Sequence, residues 1–378
     1  MGYNSPGVYV EEVRSSTAPI AGVGTSTAGF IGLAADTETY SVSGVDVVVR
    51  RPGTNEVRLF TNMTEFKAAY GDFSPTDAGQ NTLAHAVYGF FNNGGTRCYV
   101  VRMAPPGGDV GPALDLLEPI EEIAIVAAPG TKDKASWGKI ADHCKNAKTR
   151  FAILDTPPGE DWRTAPDDSK LPSKSDFAAI YFPWIRVFDP ATKALKLVPP
   201  SGHIAGLYAR VDADRGVHKA PANEPILGAV DVEFPVSQRR QDGLNPKGIN
   251  VIRNLSGTVT VWGARTANSV DSDEFKYVST RRLFNFLRGS IDRGTRWAVF
   301  EPNNPDLWAK VIRNVGAFLT TVWSSGALFG DKPEQAFFIK CDAENNPPAS
   351  RELGMVVAEI GVAITKPAEF VVFRLGQK

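Results

Sequence analysis

The stretch 120–155 restricts the fold of this chain more than any other part of it. "IEEIAIVAAPG" has a continuously apolar centre and reads as a strand buried on both faces. "KDKASWGKIADHCKNAK" follows, with Trp137, Ile140, Ala141 and Cys144 on one helical face. "RFAILDTPPG" is a second buried strand. Strand, helix, strand in that order implies a parallel βαβ unit. The expected fold is therefore α/β, or α+β mixed, around a partly parallel sheet.

Similar signals extend on both sides. "VDVVVRRPG", "NEVRLF" and "TRCYVVRM" read as strands. "GQNTLAHAVYGFFNNGG" reads as a helix, with Leu83, Val87 and Phe91 at helical spacing and Gly94 as its stop. The region 156–250 is rich in Pro, Gly and Asp, and beyond "FAAIYFPWIRVFDP" it shows little periodicity. Long loops are expected there, covered by a neighbouring subunit. In the last third, "EFKYVSTRRLFNFLRGSI" predicts a helix and "TRWAVFE" a strand. "NNPDLWAKVIRNVGAFLTTVWSSGALFG" predicts the clearest helix, capped by Asn304 with Pro305 and Asp306 in its first turn. Its stripe is Leu307, Trp308, Val311, Ile312, Val315, Phe318, Leu319 and Val322. "EQAFFIKCD" and "GMVVAEIGVAI" read as strands.

Both ends also look like strands, and neither has a hairpin partner nearby. Near the start, Val8, Tyr9, Val10, Glu11, Glu12 and Val13 have strand character, followed by the loop-like "RSSTAPIAGVGTSTAG". At the other end, Glu369, Phe370, Val371, Val372, Phe373, Arg374 and Leu375 follow "TKPA".

The chain carries 41 Lys and Arg against 42 Asp and Glu, a net charge of −1, so it lacks the basic excess of a nucleic-acid binder. A charge near zero leaves little repulsion between copies. Cys98, Cys144 and Cys341, an odd count without paired spacing, argue against a disulfide framework and read as small buried hydrophobes of a reducing compartment. No signal peptide, myristoylation signal or apolar run of the roughly 18 residues of a membrane span is recognisable.

The sequence shows no Walker loop, HExxH or GxSxG motif. His85, His143, His203 and His218 show no zinc spacing with the cysteines, so no metal or cofactor site is expected. Asp155, at the C-terminal end of a predicted parallel strand, is the best catalytic candidate, against a turn or capping role. The strongest electrostatic feature is Arg281, Arg282, Arg288, Arg293 and Arg296, with Asp292 the one acid among them. That pattern suits either a solvated helix face or a docking face for an acidic protein. Lys310 and Arg313 on the long helix form a second candidate docking face.

Together, "SPGVYVEEV", "NNGGTRCYVVRM", "IAIVAAPG", "PPSGHIAGLYARVDADRGVHKAPANE", "LNPKGINVIR" and "VWGARTANS" resemble contractile tail sheath proteins. So do "YVSTRRLFNFLRGSIDRGTRWAVFEPNNPDLW", "GALFG", "KCDAENNPP" and "EIGVAITKPAEFVVFRL". The family includes sheaths of phage tails, R-type pyocins and extracellular contractile injection systems. The resemblance is densest from Pro199 to Leu375 and thinnest at 37–77. It implies a conserved inner α/β domain, a smaller variable outer domain and extended terminal arms. On this chain the arms would be 1–20 and 365–378, the variable region 21–110 and the conserved region 111–364. It further implies a structural subunit without enzymatic activity or cofactor, assembling in the cytoplasm of the producing cell into stacked six-fold rings. Its partners would be itself, the inner tube protein, and baseplate and terminal cap proteins, with no nucleic acid and no direct membrane insertion. Val8–Val13 and Glu369–Leu375 would be strands donated between subunits, with "GMVVAEIGVAI" in the accepting sheet. The alternative reading is an α/β enzyme with Asp155 at its site.

Overall fold

The computed structural model describes residues 19–42, 45–164, 166–270 and 273–372. After an entry loop come strand β1 (Ala28–Leu33), the hairpin strands β2 (Thr37–Val42) and β3 (Val45–Arg50), and β4 (Val57–Phe60). Helices α1 (Met63–Tyr70) and α2 (Ala78–Asn92) precede β5 (Cys98–Met103), α3 (Gly111–Leu117), β6 (Ile125–Ala127), α4 (Lys134–Ala147) and β7 (Phe151–Asp155). Next are β8 (Ala178–Phe182), β9 (Ile185–Asp189), β10 (Ala194–Val198), α5 (Ser201–Arg215), β11 (Glu224–Pro225) and β12 (Ala229–Val232). α6 (Gln238–Leu244), β13 (Ile249–Leu255) and β14 (Thr258–Val261) complete the central region. The C-terminal part holds α7 (Val278–Thr295), α8 (Pro305–Ser324), α9 (Pro333–Ala336), β15 (Phe337–Lys340), α10 (Pro348–Glu352) and β16 (Glu359–Val362).

Nine strands form one sheet in the order β11-β14-β13-β8-β7-β6-β1-β5-β4. Its centre, from β13 to β5, is parallel. The edges, β14 with β11 and β4, join antiparallel. Alternate residues feed two cores, as a sheet covered on both faces requires. On β7, Phe151 and Ile153 face the α2 and α5 side, and Ala152 and Leu154 face the α3 and α4 side. The βαβ expectation for 120–155 holds: β6 and β7 pair in parallel, and Trp137, Ile140, Ala141 and Cys144 are the buried face of α4.

The region 156–250 is not a set of long loops. It contains β8, a three-stranded sheet in the order β10-β9-β12, and helices α5 and α6. Helix α5 was hidden because it is buried on nearly every side, from Ser201 to Ala209 without interruption, and so has no apolar stripe to reveal it. It packs backbone-to-backbone on α2, where a Cβ at Gly202 would overlap the Ala86 backbone and one at Gly206 would overlap the Phe90 carbonyl.

Residues 28–103 contribute β1, β4 and β5 to the same sheet as β6 and β7. "TRWAVFE" is not a strand. The end of α7 runs into a 3₁₀ turn at Arg296–Ala298, and Phe300 follows with φ 68° and a fully exposed ring. Asn304 caps α8 by accepting the Leu307 amide at 3.0 Å. The α8 stripe is buried except at Ile312, which faces outward. It joins α7 and β15 in a third apolar cluster that also takes in Ile20. All three cysteines are free and buried.

Candidate functional site

Two clusters of buried and partly buried charge, an N-terminal and a C-terminal root, lie near the two ends of the described residues, and both touch α7. On the N-terminal side, Ile20 packs into the third cluster against Gly294, and the Val23 amide donates to Ser290 Oγ at 3.1 Å. Thr25 Oγ1 donates to Asp212 Oδ2 at 2.6 Å. Arg282 closes this root: Nη1 and Nη2 donate to the two Asp212 oxygens at 2.9 and 2.6 Å, and Nη2 also reaches the Thr25 carbonyl at 3.0 Å. The guanidinium lies over the Tyr208 ring, 4.6 Å from its centre. Both partners are buried, with side chains 3% exposed, where a charge needs such pairing to be tolerated.

The C-terminal root is built around Glu369. Arg265 donates to it as a fork, Nε to Oε1 at 2.7 Å and Nη2 to Oε2 at 2.8 Å. Asn245 Nδ2 donates to Oε1 and the Tyr277 hydroxyl to Oε2, each at 2.8 Å, and Lys276 Nζ lies at 3.8 Å. Arg265 is itself fixed, since its backbone amide donates to Asn250 Oδ1 and it bridges Tyr277 across a short antiparallel contact. Tyr277 is the N-cap residue of α7. Partial burial raises the Glu369 carboxyl's pKa, but the donors from Arg265, Asn245 and Tyr277 outweigh it and hold it down at about 2.

These contacts change the reading of several sequence candidates. The Glu369 side chain is held by partners on its own chain. Phe370, Val371 and Val372 are 71%, 71% and 78% exposed and pair with no strand among the described residues. Phe373, Arg374 and Leu375, like Val8–Val13, lie outside the described residues. The arginines do not form one face. Arg282 is buried on Asp212. Arg281 bonds Asp176 and is stacked between Phe275 and Phe177, whose ring centres are 3.4 and 4.3 Å away. Arg293 and Arg296 pair with Glu121. Arg288 and Arg313 are exposed and Lys310 is half-exposed. Asp176 and Asp212 lie 105 and 70 residues upstream of their partners, beyond any local count of charge.

Asp155 is 2% exposed and serves as a cap. It accepts the Ser201 amide at 2.9 Å, the Ser201 hydroxyl at 2.7 Å and the Gly130 amide at 3.2 Å, tying the end of β7 to the start of α5. Burial pushes its pKa up to about 6, with those hydrogen bonds pulling the other way. The structure thus places Asp155 in the capping role, at the junction of β7 and α5.

Beside α8, β15 and β16 form a two-stranded antiparallel sheet with Phe337 opposite Val362 and Lys340 opposite Glu359. Of "GMVVAEIGVAI", only Glu359–Val362 is strand, and Met355, Val356 and Val357 are exposed.

Two family descriptions match in succession: the phage tail sheath protein central domain at 109–267, and the phage tail sheath C-terminal domain at 270–378. The chain belongs to the contractile tail sheath family. A tail sheath protein of Burkholderia phage BcepMu is 28% identical to this sheath chain over 205 residues, 52% of this chain and 42% of that one. The sheath chain thus spans less than half the length of that curated relative. Among solved structures, the sheath complex of an extracellular contractile injection system, PVC, in its contracted state, matches with TM-score 0.79 and 29% identity. That match covers 100% of this chain and 99% of the other. The helical sheath of the anti-feeding prophage in its contracted state matches with TM-score 0.78 and 29% identity, over 100% of both chains. The mixed α/β fold is thus that of tail sheath proteins. Among the described residues, no helix of this sheath chain is long and apolar enough to cross a membrane.

Proposed function

We propose that this chain is the subunit of a contractile sheath. It polymerises as stacked hexameric rings around an inner tube and contracts to drive that tube through a target envelope. The observation that carries this reading is the end-to-end likeness to two sheaths of contractile particles, both in the contracted state. The subunit acts mechanically and uses no cofactor: the stroke draws on free energy stored in the assembled lattice. Assembly takes place in the cytoplasm of the producing cell.

Neighbouring subunits are joined by donated strands, Val8–Val13 from one end and Glu369–Leu375 from the other. The accepting sheet is β15 and β16, whose outer edges have no strand partner among the described residues. Strand addition satisfies those edge amides and carbonyls. Each hydrogen bond contributes only about 1 kcal/mol net, but several arms per subunit make the lattice multivalent. An arm of 15 residues spans roughly 50 Å, enough to reach an adjacent copy. Arg288, Lys310 and Arg313 are the basic side chains positioned to dock an acidic inner tube or a neighbour, and baseplate and terminal cap proteins close the two ends. Deleting residues 1–17 tests the linkage. The truncated protein should keep its thermal transition and fail to form ordered tubes; ordinary tubes from it would rule out the donated strand.

A further inference from the structure

Five observations converge on one helix. Glu369 is fixed by a bidentate arginine and by further donors from Asn245 and Tyr277. Tyr277 sits at the N-cap position of α7, where its carbonyl accepts the Arg281 amide at 3.1 Å. Three turns of the same helix hold the N-terminal root, through Arg282, Ser290 and Gly294. The chain beyond Glu369 changes character at once, from an anchored side chain to three apolar ones more than two-thirds exposed. Finally, α7 faces the third apolar cluster with Leu283 and Leu287, so its own seat is α8 and the C-terminal unit.

We propose that Glu369 is the positioning residue of the C-terminal arm. Its carboxylate, seated on Arg265, Asn245 and Tyr277, sets the point at which the donated strand begins. It also delivers any pull on that strand to α7, the helix that holds the N-terminal arm as well. This rests on the sheath reading and adds to it a fixed origin for the arm. Without the anchor, the tether would lengthen back toward Thr365, whose amide donates to the Ala327 carbonyl at 3.3 Å. A longer, looser tether lowers the effective concentration of the strand at its acceptor and lets it sample wrong registers. A fork of two charged hydrogen bonds also resists a pull better than one neutral contact, because both bonds must lengthen together.

The test uses the full chain. Cys98, Cys144 and Cys341 are buried, so nitroxide labels attach selectively at Val371→Cys and Asp292→Cys, the latter on the exposed face of α7. Electron–electron distance measurements on the dilute protein should give a narrow distribution, and adding Glu369→Gln should broaden it. In unlabelled protein, Glu369→Gln should lower the thermal transition but keep it single and cooperative, and should lose ordered tubes by electron microscopy at temperatures well below that transition. Tyr277→Phe, which removes one donor and no charge, should give an intermediate loss. An unchanged distance distribution in Glu369→Gln would overturn the anchor. A broadened distribution with tubes as abundant and straight as those of the parent would overturn its positioning role. Failure of the unsubstituted protein to form tubes under any condition would contradict the sheath reading instead, so the two failures are separable.

Discussion

Two carboxylates, one buried and one partly buried, show how the same side-chain chemistry is tuned in opposite directions. Asp155 meets only neutral donors, so burial dominates and its pKa rises to about 6. Glu369 is also partly buried, but it meets Arg265 and stays near 2. The linkage therefore differs in sign. The folded state binds the Asp155 proton more tightly than the unfolded chain does, so its contribution to stability falls as pH rises from about 4 to 6. Glu369 contributes stability that is present above about 4.5 and is lost as pH falls toward 2. Asp155→Asn removes the first effect. Its stability relative to the parent should rise by on the order of 2–3 kcal/mol between pH 4 and 7, measured by denaturant titration at each pH. A constant difference across that range would show that the carboxylate does not titrate there. At this scale the sequence displayed the charges and concealed their partners. Arg281, Arg282 and Glu369 find theirs 70 to 105 residues away, whereas the Asn304 cap of α8 lies three residues from the amide it accepts and was legible.

At the scale of elements, legibility followed one-sidedness. Helices α4 and α8 bury one stripe and expose the other, so their periodicity is visible in the chain. Helix α5 buries both sides and lies in a stretch whose prolines and glycines resemble loop composition. Its glycines mark a close approach: Gly202 and Gly206 let it rest on the α2 backbone. Gly202→Ala should cost about 1–3 kcal/mol by overpacking, even though alanine is the better helix former, as read by the urea midpoint at unchanged slope. An increase in stability would mean that the two helices separate more easily than the contact suggests. "TRWAVFE" failed for the converse reason. Its β-branched and aromatic residues have strand propensity, but the end of α7 carries them into a 3₁₀ turn with Phe300 at positive φ.

At the scale of the molecule, a nine-stranded sheet with both faces covered forms a stable frame, and both terminal segments are anchored beside it on α7. The parallel centre of that sheet was readable from its βαβ unit. The roots were not, because they join residues from opposite ends of the chain. Beyond Glu369, the exposed apolar residues Phe370, Val371 and Val372 pair with no strand among the described residues, which suits a protein completed by other copies of itself. Electron microscopy of the purified, concentrated full chain, with and without an inner tube protein, tests that directly. Straight, regular tubes with six-fold end views are the expected result. Monodisperse single chains at every salt and protein concentration, with or without the tube, would contradict it.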